Sequence, residues 1–244
     1  MVMRLQVRFS APLLAVTALV LCAGASVQAQ STASPTAGNG TYIASDPLAN
    51  VRYDNRFDAS LGAAYGHIMA GPTLNQGANL GGLDLTGSWW FSKHWAVEGS
   101  GRAYLGSSGA GVNHDGPGGG AIKGPFVAQY LFAAGPEWLG PHNKHGALIA
   151  HVLVGGAYGE FEKDLLGYNP STVDFYNNQI APAAIFGGHF DLNRSARWVF
   201  RVTPDALFTR YSTNYSTPTT GTGGHDNWNF GISVGVEYKF KKKR

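Results

Sequence analysis

The sequence predicts an all-β fold: an eight-stranded antiparallel up-and-down β-barrel whose strands cross a membrane. Three observations predict it. The last strand places Trp228, Phe230, Ile232, Val234, Val236, Tyr238 and Phe240 on one face, with Asn227, Asn229, Gly231, Ser233, Gly235, Glu237 and Lys239 on the other. The connections between strand candidates alternate long and short, as they do when the two rims of a barrel face different compartments. The composition, with 34 Gly, 6 Trp, 11 Tyr and 13 Phe against 14% charged residues, is lean for a surface lying wholly in water. Such a surface carries roughly a quarter to a third charged residues.

Residues 1–29 read as a secretory signal: Arg4 and Arg8 form the positive region, Ala11 to Ala25 the apolar region, and Val27-Gln28-Ala29 the cleavage site. Lipid modification at Cys22 is disfavoured because bulky Leu21 precedes it. Cleavage after Ala29 removes the single cysteine, so disulfides, a thiolate nucleophile and a thiolate-bound metal are all excluded from the mature chain. It also removes Arg4 and Arg8, which lowers the formal charge from +3 to +1 and leaves no electrostatic footprint for nucleic acid. Residues 30–54 are rich in Ser, Thr, Ala, Pro and Asn without sustained period, and are expected to be a flexible lead-in to a barrel spanning 55–240.

The eight strands are predicted at Arg56 to Ile68, Leu80 to Phe91, Trp95 to Leu105, Phe126 to Trp138, Ala147 to Glu160, Ile180 to Leu192, Trp198 to Tyr211 and Asn227 to Phe240. Each is long enough for the roughly 9–11 residues that a tilted strand needs to cross a bilayer. No run after residue 29 approaches the roughly 20 apolar residues of a spanning helix. The long connections, among them GSSGAGVNHDGPGGG, Asp164 to Asn178 and STNYSTPTTGTGGHD, are expected to be solvated and mobile rather than packed. Pro136, Pro182 and Pro204 fall inside strands of a sheet without edges, so bulges or strand ends are expected there. Arg210 faces lipid by parity but lies beside a long loop, where a cation costs about 0–1 kcal/mol.

Parity sorts the remaining side chains. Trp89, Phe91, Trp95, Trp138, Phe190, Trp198 and Phe240, near short turns, are expected to form one aromatic girdle. Tyr65, Phe126, Tyr158, Phe208 and Trp228, near long loops, are expected to form the other. Arg56, Asp58, Asp84, Glu98, Arg102, Glu137, His151, His189, Asp191, Arg201, Asp205, Glu237 and Lys239 are predicted to face inward. An eight-stranded barrel is only wide enough for side chains, so these groups are expected to neutralise one another as a plug of ion pairs. A narrow conduction path, with Glu98 and Arg102 exchanging partners, is the sharper alternative.

With the pattern in place, residues 56–240 resemble the small outer-membrane β-barrel family that includes the OmpA transmembrane domain and OmpX, a group within the porin-like barrels. The closing motif Ser233-Val-Gly235-Val-Glu-Tyr238-Lys-Phe240 is similar to that family's terminal signal, and Gly82 to Glu98 resembles its second hairpin. The resemblance implies a home in the outer membrane of a diderm (Gram-negative) bacterium, with outer-membrane lipids and lipopolysaccharide around the barrel. It also implies recognition by the barrel-assembly machinery through Ser233, Gly235, Tyr238 and Phe240. The basic tail Lys241 to Arg244 departs from the pattern, because the family commonly ends at the terminal aromatic.

Residue chemistry points away from catalysis. A lipid-modifying barrel would need a Ser/His/acid set on its outer wall, and the outward positions are almost entirely Gly, Ala, aliphatic or aromatic. His189 and Asp191 share a strand face and His151 lies near Glu137, but a metal centre needs three or four convergent ligands and no other cluster is spaced to supply them. His142, His145 and His225 are expected to be solvated in loops. No catalytic residue, cofactor or metal is therefore assigned. The expectation is a non-enzymatic barrel with a structural or surface-interaction role exercised through its long loops, with an unspecified extracellular ligand. A narrow pore and a lipid-modifying enzyme are the alternatives.

Overall fold

Alternation along each strand decides which residues enter the barrel. In the computed structural model, which describes residues 46–72, 74, 76–109, 111–113, 121–212 and 225–240, eight long strands carry it. These are β1 (Phe57–Ile68), β2 (Ala78–Trp90), β3 (Trp95–Ser108), β6 (Phe126–His142), β7 (Gly146–Glu160), β8 (Gln179–Asn193), β9 (Trp198–Tyr211) and β10 (His225–Lys239). A short hairpin, β4 (Gly111–Asn113) with β5 (Ala121–Lys123), fills part of the connection between β3 and β6. The predicted signal peptide and the basic tail lie outside the described residues. None of the described helices is long and apolar enough to cross a membrane.

Every neighbouring pair is antiparallel, and the order β1-β10-β9-β8-β7-β6-β3-β2 closes on itself. The seam runs from Asp58 opposite Lys239 to His67 opposite Phe230, so the strand that ends the sheet pairs with the one that begins it. At its centre Gly62 faces Gly235, and a Cβ at Gly235 would lie 2.2 Å from the Leu61 carbonyl oxygen. Two glycines in register let the backbones approach where the barrel closes.

Each proline interrupts pairing on one side only, without the expected bulges: Pro136 stays in register with Val97, Pro182 with Gly156 and Pro204 with Ile232. The β6–β7 ladder skips Gly135 and Pro136 between Ala134↔Val154 and Glu137↔His151, and register resumes unchanged. The β8–β9 ladder skips Pro204 between Gly187↔Asp205 and Phe190↔Val202 in the same way, while Pro182 falls just before the first β8–β9 pair. A missing N–H is absorbed by leaving out a pair rather than by adding a residue. Among the described residues, the register shifts elsewhere, between Leu139 and His142 at the end of β6.

Outward positions form an apolar wall. Leu61, Leu83, Leu85, Phe132, Val152, Val154, Ile180 and Val236 are all exposed, with Ile180 at 80%. A water-soluble protein rarely leaves so continuous an apolar surface bare, whereas hydrocarbon requires it. Trp95 pairs with Trp138 and Trp198 with Tyr238 near the short turns. Trp228 contacts Phe186 and Phe208 near the long connections, with ring centroids 5.8 and 5.3 Å away.

Candidate functional site in the barrel lumen

The lumen is divided along its axis. From Tyr104, Leu153, Ile185 and Leu207 toward the long connections it is mostly apolar and uncharged: this half also holds Ile68, Leu80 and Leu131, all fully buried, beside the neutral polar Gln129, Thr209, Asn227 and Asn229. The other half holds seven buried carboxylates (Asp58, Asp84, Glu98, Glu137, Asp191, Asp205 and Glu237) against three permanent cations, Arg102, Arg201 and Lys239. Strand parity puts all of them inside, and register decides which of them meet.

Two clusters result. Toward the short-turn end, Arg201 holds Asp191 with two parallel bonds, Nε–Oδ1 at 2.7 Å and Nη2–Oδ2 at 2.9 Å, and reaches Glu237 at 2.8 Å. The planar fork of arginine suits this double contact. At mid-barrel, Arg102 lies between Asp84 at 3.3 Å and Asp205 at 2.6 Å, and Ser233 donates to Asp84 at 2.6 Å. Asp205 continues to His151 Nε2 at 2.8 Å. The opposite nitrogen of His151, Nδ1, lies 2.8 Å from Glu98 Oε2 and 3.2 Å from His189 Nε2, while His189 Nδ1 faces Thr203 Oγ1 at 2.8 Å.

Several expected relationships change. Arg56 does not join the lumen; it is exposed and precedes β1. Glu98 and Arg102 do not pair, because four residues of strand separate them by about 13 Å along the wall; Glu98 turns instead to the two histidines. Asp191 goes to Arg201 rather than to its strand neighbour His189. Glu137 stands directly opposite His151 in the β6–β7 register, yet neither of its carboxylate oxygens makes a hydrogen bond of good geometry among the described residues, with Ser88 the neighbouring hydroxyl that acts on it. Lys239 donates to Asn193 at 3.2 Å and stands 4.2 Å above the Tyr53 ring.

Both ends of the lumen are covered. At the long-connection end, residues 161–178 fold back over the mouth, contrary to the mobile loop expected there. Phe161, Leu165, Val173, Phe175 and Tyr176 are buried, and Phe161 packs edge-on against Tyr211 and Tyr176 at 5.1 and 5.6 Å. Tyr176 donates to Asn227, and Gln129 donates to Tyr211. The neck of this loop is clasped by Asn178, whose Oδ1 accepts from the Phe161 and Glu162 amides at 2.6 and 3.1 Å.

At the other end, the part of the lead-in that is described crosses the opening. The Tyr53 hydroxyl donates to the Asn143 carbonyl at 3.0 Å and accepts from Asn193 Nδ2 at 2.7 Å, and its ring lies 4.7 Å from that of His142. Burial raises the pKa of this phenol above its ordinary value, and the nearby Asp191 and Glu237 charges push the same way. Beside Tyr53, residues 52–56, Trp89 to His94 and His142 line an open cleft of about 700 Å³.

The residues expected to carry an assembly signal are distributed between these environments. Ser233 and Gly235 belong to the inner face and the seam, the Tyr238 hydroxyl accepts from Arg197 at 3.1 Å, and Phe240 is exposed. Tyr104, Gln129 and Tyr211, not singled out from sequence, also fill the lumen; each lies on inward parity. Tyr53 has no such signal, because it precedes any period.

No protein-family model matches the chain, and no curated protein matches it. Among solved structures, the chain is similar to the outer membrane protein OprG from Pseudomonas aeruginosa, with 13% identity and a TM-score of 0.52 over 79% of this chain and 99% of that one. Ail, the attachment invasion locus protein of Yersinia pestis, matches at 14% identity over 76% of this chain and 99% of that one, with a TM-score of 0.43. The outer membrane protein W of E. coli matches at 14% identity over 76% and 98%, with a TM-score of 0.39. The closed eight-stranded antiparallel barrel and its likeness to OprG together show that this chain has the fold of the small outer-membrane β-barrels.

Proposed function

We propose that the protein is an exported, non-enzymatic barrel of the bacterial outer membrane with a structural or surface-interaction role, in which the lumen is a filled strut and the long connections are the working surface. The observation that carries this reading is the closure of the lumen at both ends and along its length. Phe161, Tyr176 and Tyr211 cover one mouth, Tyr53 the other, and paired charges fill the middle. A void of about 10 Å³ beside Tyr53, Asp58, Trp90 and Lys239 has room for roughly one water, not for a file of ions. Outer-membrane lipid and lipopolysaccharide meet the apolar wall, and the barrel-assembly machinery reads the final strand. The narrow-pore reading requires space that these side chains occupy.

Purified protein that migrates faster unboiled than boiled on gels, and shows no conductance steps in planar bilayers, is the expected result. Regular single-channel steps from the folded, unheated form would overturn the filled-strut reading in favour of a pore.

A further inference from the structure

We propose that Glu98, His151 and His189 form a binding site for one divalent transition-metal ion at the centre of the barrel. Glu98 Oε2, His151 Nδ1 and His189 Nε2 stand 2.8, 3.1 and 3.2 Å from one another, and all three side chains are buried. Ligands at the roughly 2.0–2.2 Å bond lengths of zinc-like ions in tetrahedral geometry are about 3.3 Å apart. The three donors are therefore spaced within about half an ångström of a ligand face before any ion is considered.

The hydrogen bonding favours the same assignment. Two imidazole nitrogens 3.2 Å apart both aim at one carboxylate oxygen. As simple hydrogen bonds, either both nitrogens carry protons directed at one oxygen, or one carries none and turns its lone pair toward the carboxylate. As metal ligands, both present lone pairs to a shared point and the crowding disappears. The far nitrogens are already held: His151 Nε2 faces Asp205 at 2.8 Å and His189 Nδ1 faces Thr203 at 2.8 Å. Outer partners of this kind fix the tautomer and ring orientation of a metal-bound histidine.

A second observation points independently to a cation. Glu137 is fully buried, stands opposite His151, and is diagonal to Glu98 through the β3–β6 register, which pairs Ala96 with Glu137 and Glu98 with Gly135. Neither of its oxygens, nor Glu98 Oε1, makes a hydrogen bond of good geometry among the described residues, although the Ser88 hydroxyl is near enough to act on Glu137. Two buried carboxylates stand side by side in a lumen that sets seven acids against Arg102, Arg201, Lys239 and two histidines, and a bound cation would offset their repulsion. Glu98, His151 and His189 supply three ligands, and a bound water would complete a four-coordinate site. Imidazole and carboxylate donors without sulfur suit zinc, cobalt, nickel or ferrous ions. The apolar half of the lumen above the site keeps bulk water from competing.

The test is to fold the full chain from urea into detergent micelles with Co2+ and wash it with a chelator. One Co2+ per chain should remain, with the visible absorption of a four-coordinate site. Glu98→Gln and His189→Ala, each checked for heat-dependent migration, should lose that ion, whereas His94→Ala and His145→Ala, at exposed positions, should keep it. Folded wild type that retains no Co2+, or retention unchanged in Glu98→Gln or His189→Ala, overturns the site. Should those variants fail to fold, NMR of the Co2+-loaded wild type decides. Paramagnetic shifts of two histidine rings support the site, and shifts confined to one ring or to none overturn it.

Discussion

At the scale of single residues, the lumen is sensitive because its polar atoms are placed by neighbours with no spare room. Gly187 shows this best. A Cβ there would lie 1.9 Å from Asp205 Oδ1, the oxygen that holds His151. Gly187→Ala must push that carboxylate aside, and we expect a loss of about 1–3 kcal/mol in urea unfolding from lipid vesicles, the range for overpacking a tight interior. Gly99→Ala is the control, since nothing lies within 4 Å of its added Cβ; its stability should change by less than about 0.5 kcal/mol. Arg201→Ala should be costlier, because it leaves Asp191 and Glu237 buried without their shared cation. Removing one partner of a buried pair costs about 3–5 kcal/mol, and the same unfolding experiment measures it.

Tyr53 gives a pH prediction at this scale. Its pKa in the folded protein is raised, chiefly by burial. A raised folded pKa means that the contribution is fully present below the ordinary phenol value of about 10 and is lost as pH rises through the higher folded value. Docking of residues 46–56 should therefore be unchanged from neutral pH to about 10 and weaken above it. Proteolytic nicking within 46–56, followed against pH, checks this, and Tyr53→Phe should abolish that pH dependence while weakening docking at every pH.

At the scale of elements, the sequence was most informative where a period of two ran long. All eight barrel strands were legible, and Trp198–Tyr211 was read to its ends, because lipid on one side and a narrow lumen on the other impose alternation at every position. The loop at 161–178 was misread because its Gly, Asn and Ser content was weighed and its Leu165, Val173, Phe175 and Tyr176 were not. Those four have no regular spacing, since a loop buries side chains by shape rather than by period. The β4–β5 hairpin was missed because three-residue strands are too short to show alternation. The lumen membership of the charges was legible from parity, with Arg56 the exception at a strand edge. Their pairing was not, because Glu98, His151 and His189 come from β3, β7 and β8, and only register brings them together. The fold-back loop carries its own prediction. Phe161→Ala should cost about 3–5 kcal/mol for a fully buried aromatic, and it should open residues 161–178 to protease while the barrel keeps its heat-dependent migration.

At the scale of the whole molecule, stability depends on closure, since a sheet with free edges in hydrocarbon would leave a row of backbone groups without partners. The seam between β1 and β10 is where that condition is met last along the chain. It is also where Gly235 of the final strand meets Gly62. Any side chain at Gly235 must displace the Leu61 carbonyl or the Gly62 backbone, which lie 2.2 and 2.5 Å from an added Cβ. A flexible side chain could yield, but backbone in a closed ladder cannot move without breaking pairs on both sides of it. Gly235→Val should therefore fail to reach the fast-migrating, boil-sensitive form in detergent or vesicles. Val236→Ala, one residue along on the exposed outer wall, should reach it and lose only apolar contact with lipid. If Gly235→Val closed as well as the wild type, the seam would have to be wide enough to admit a branched side chain. The close approach of β1 and β10 would then not be what this glycine provides.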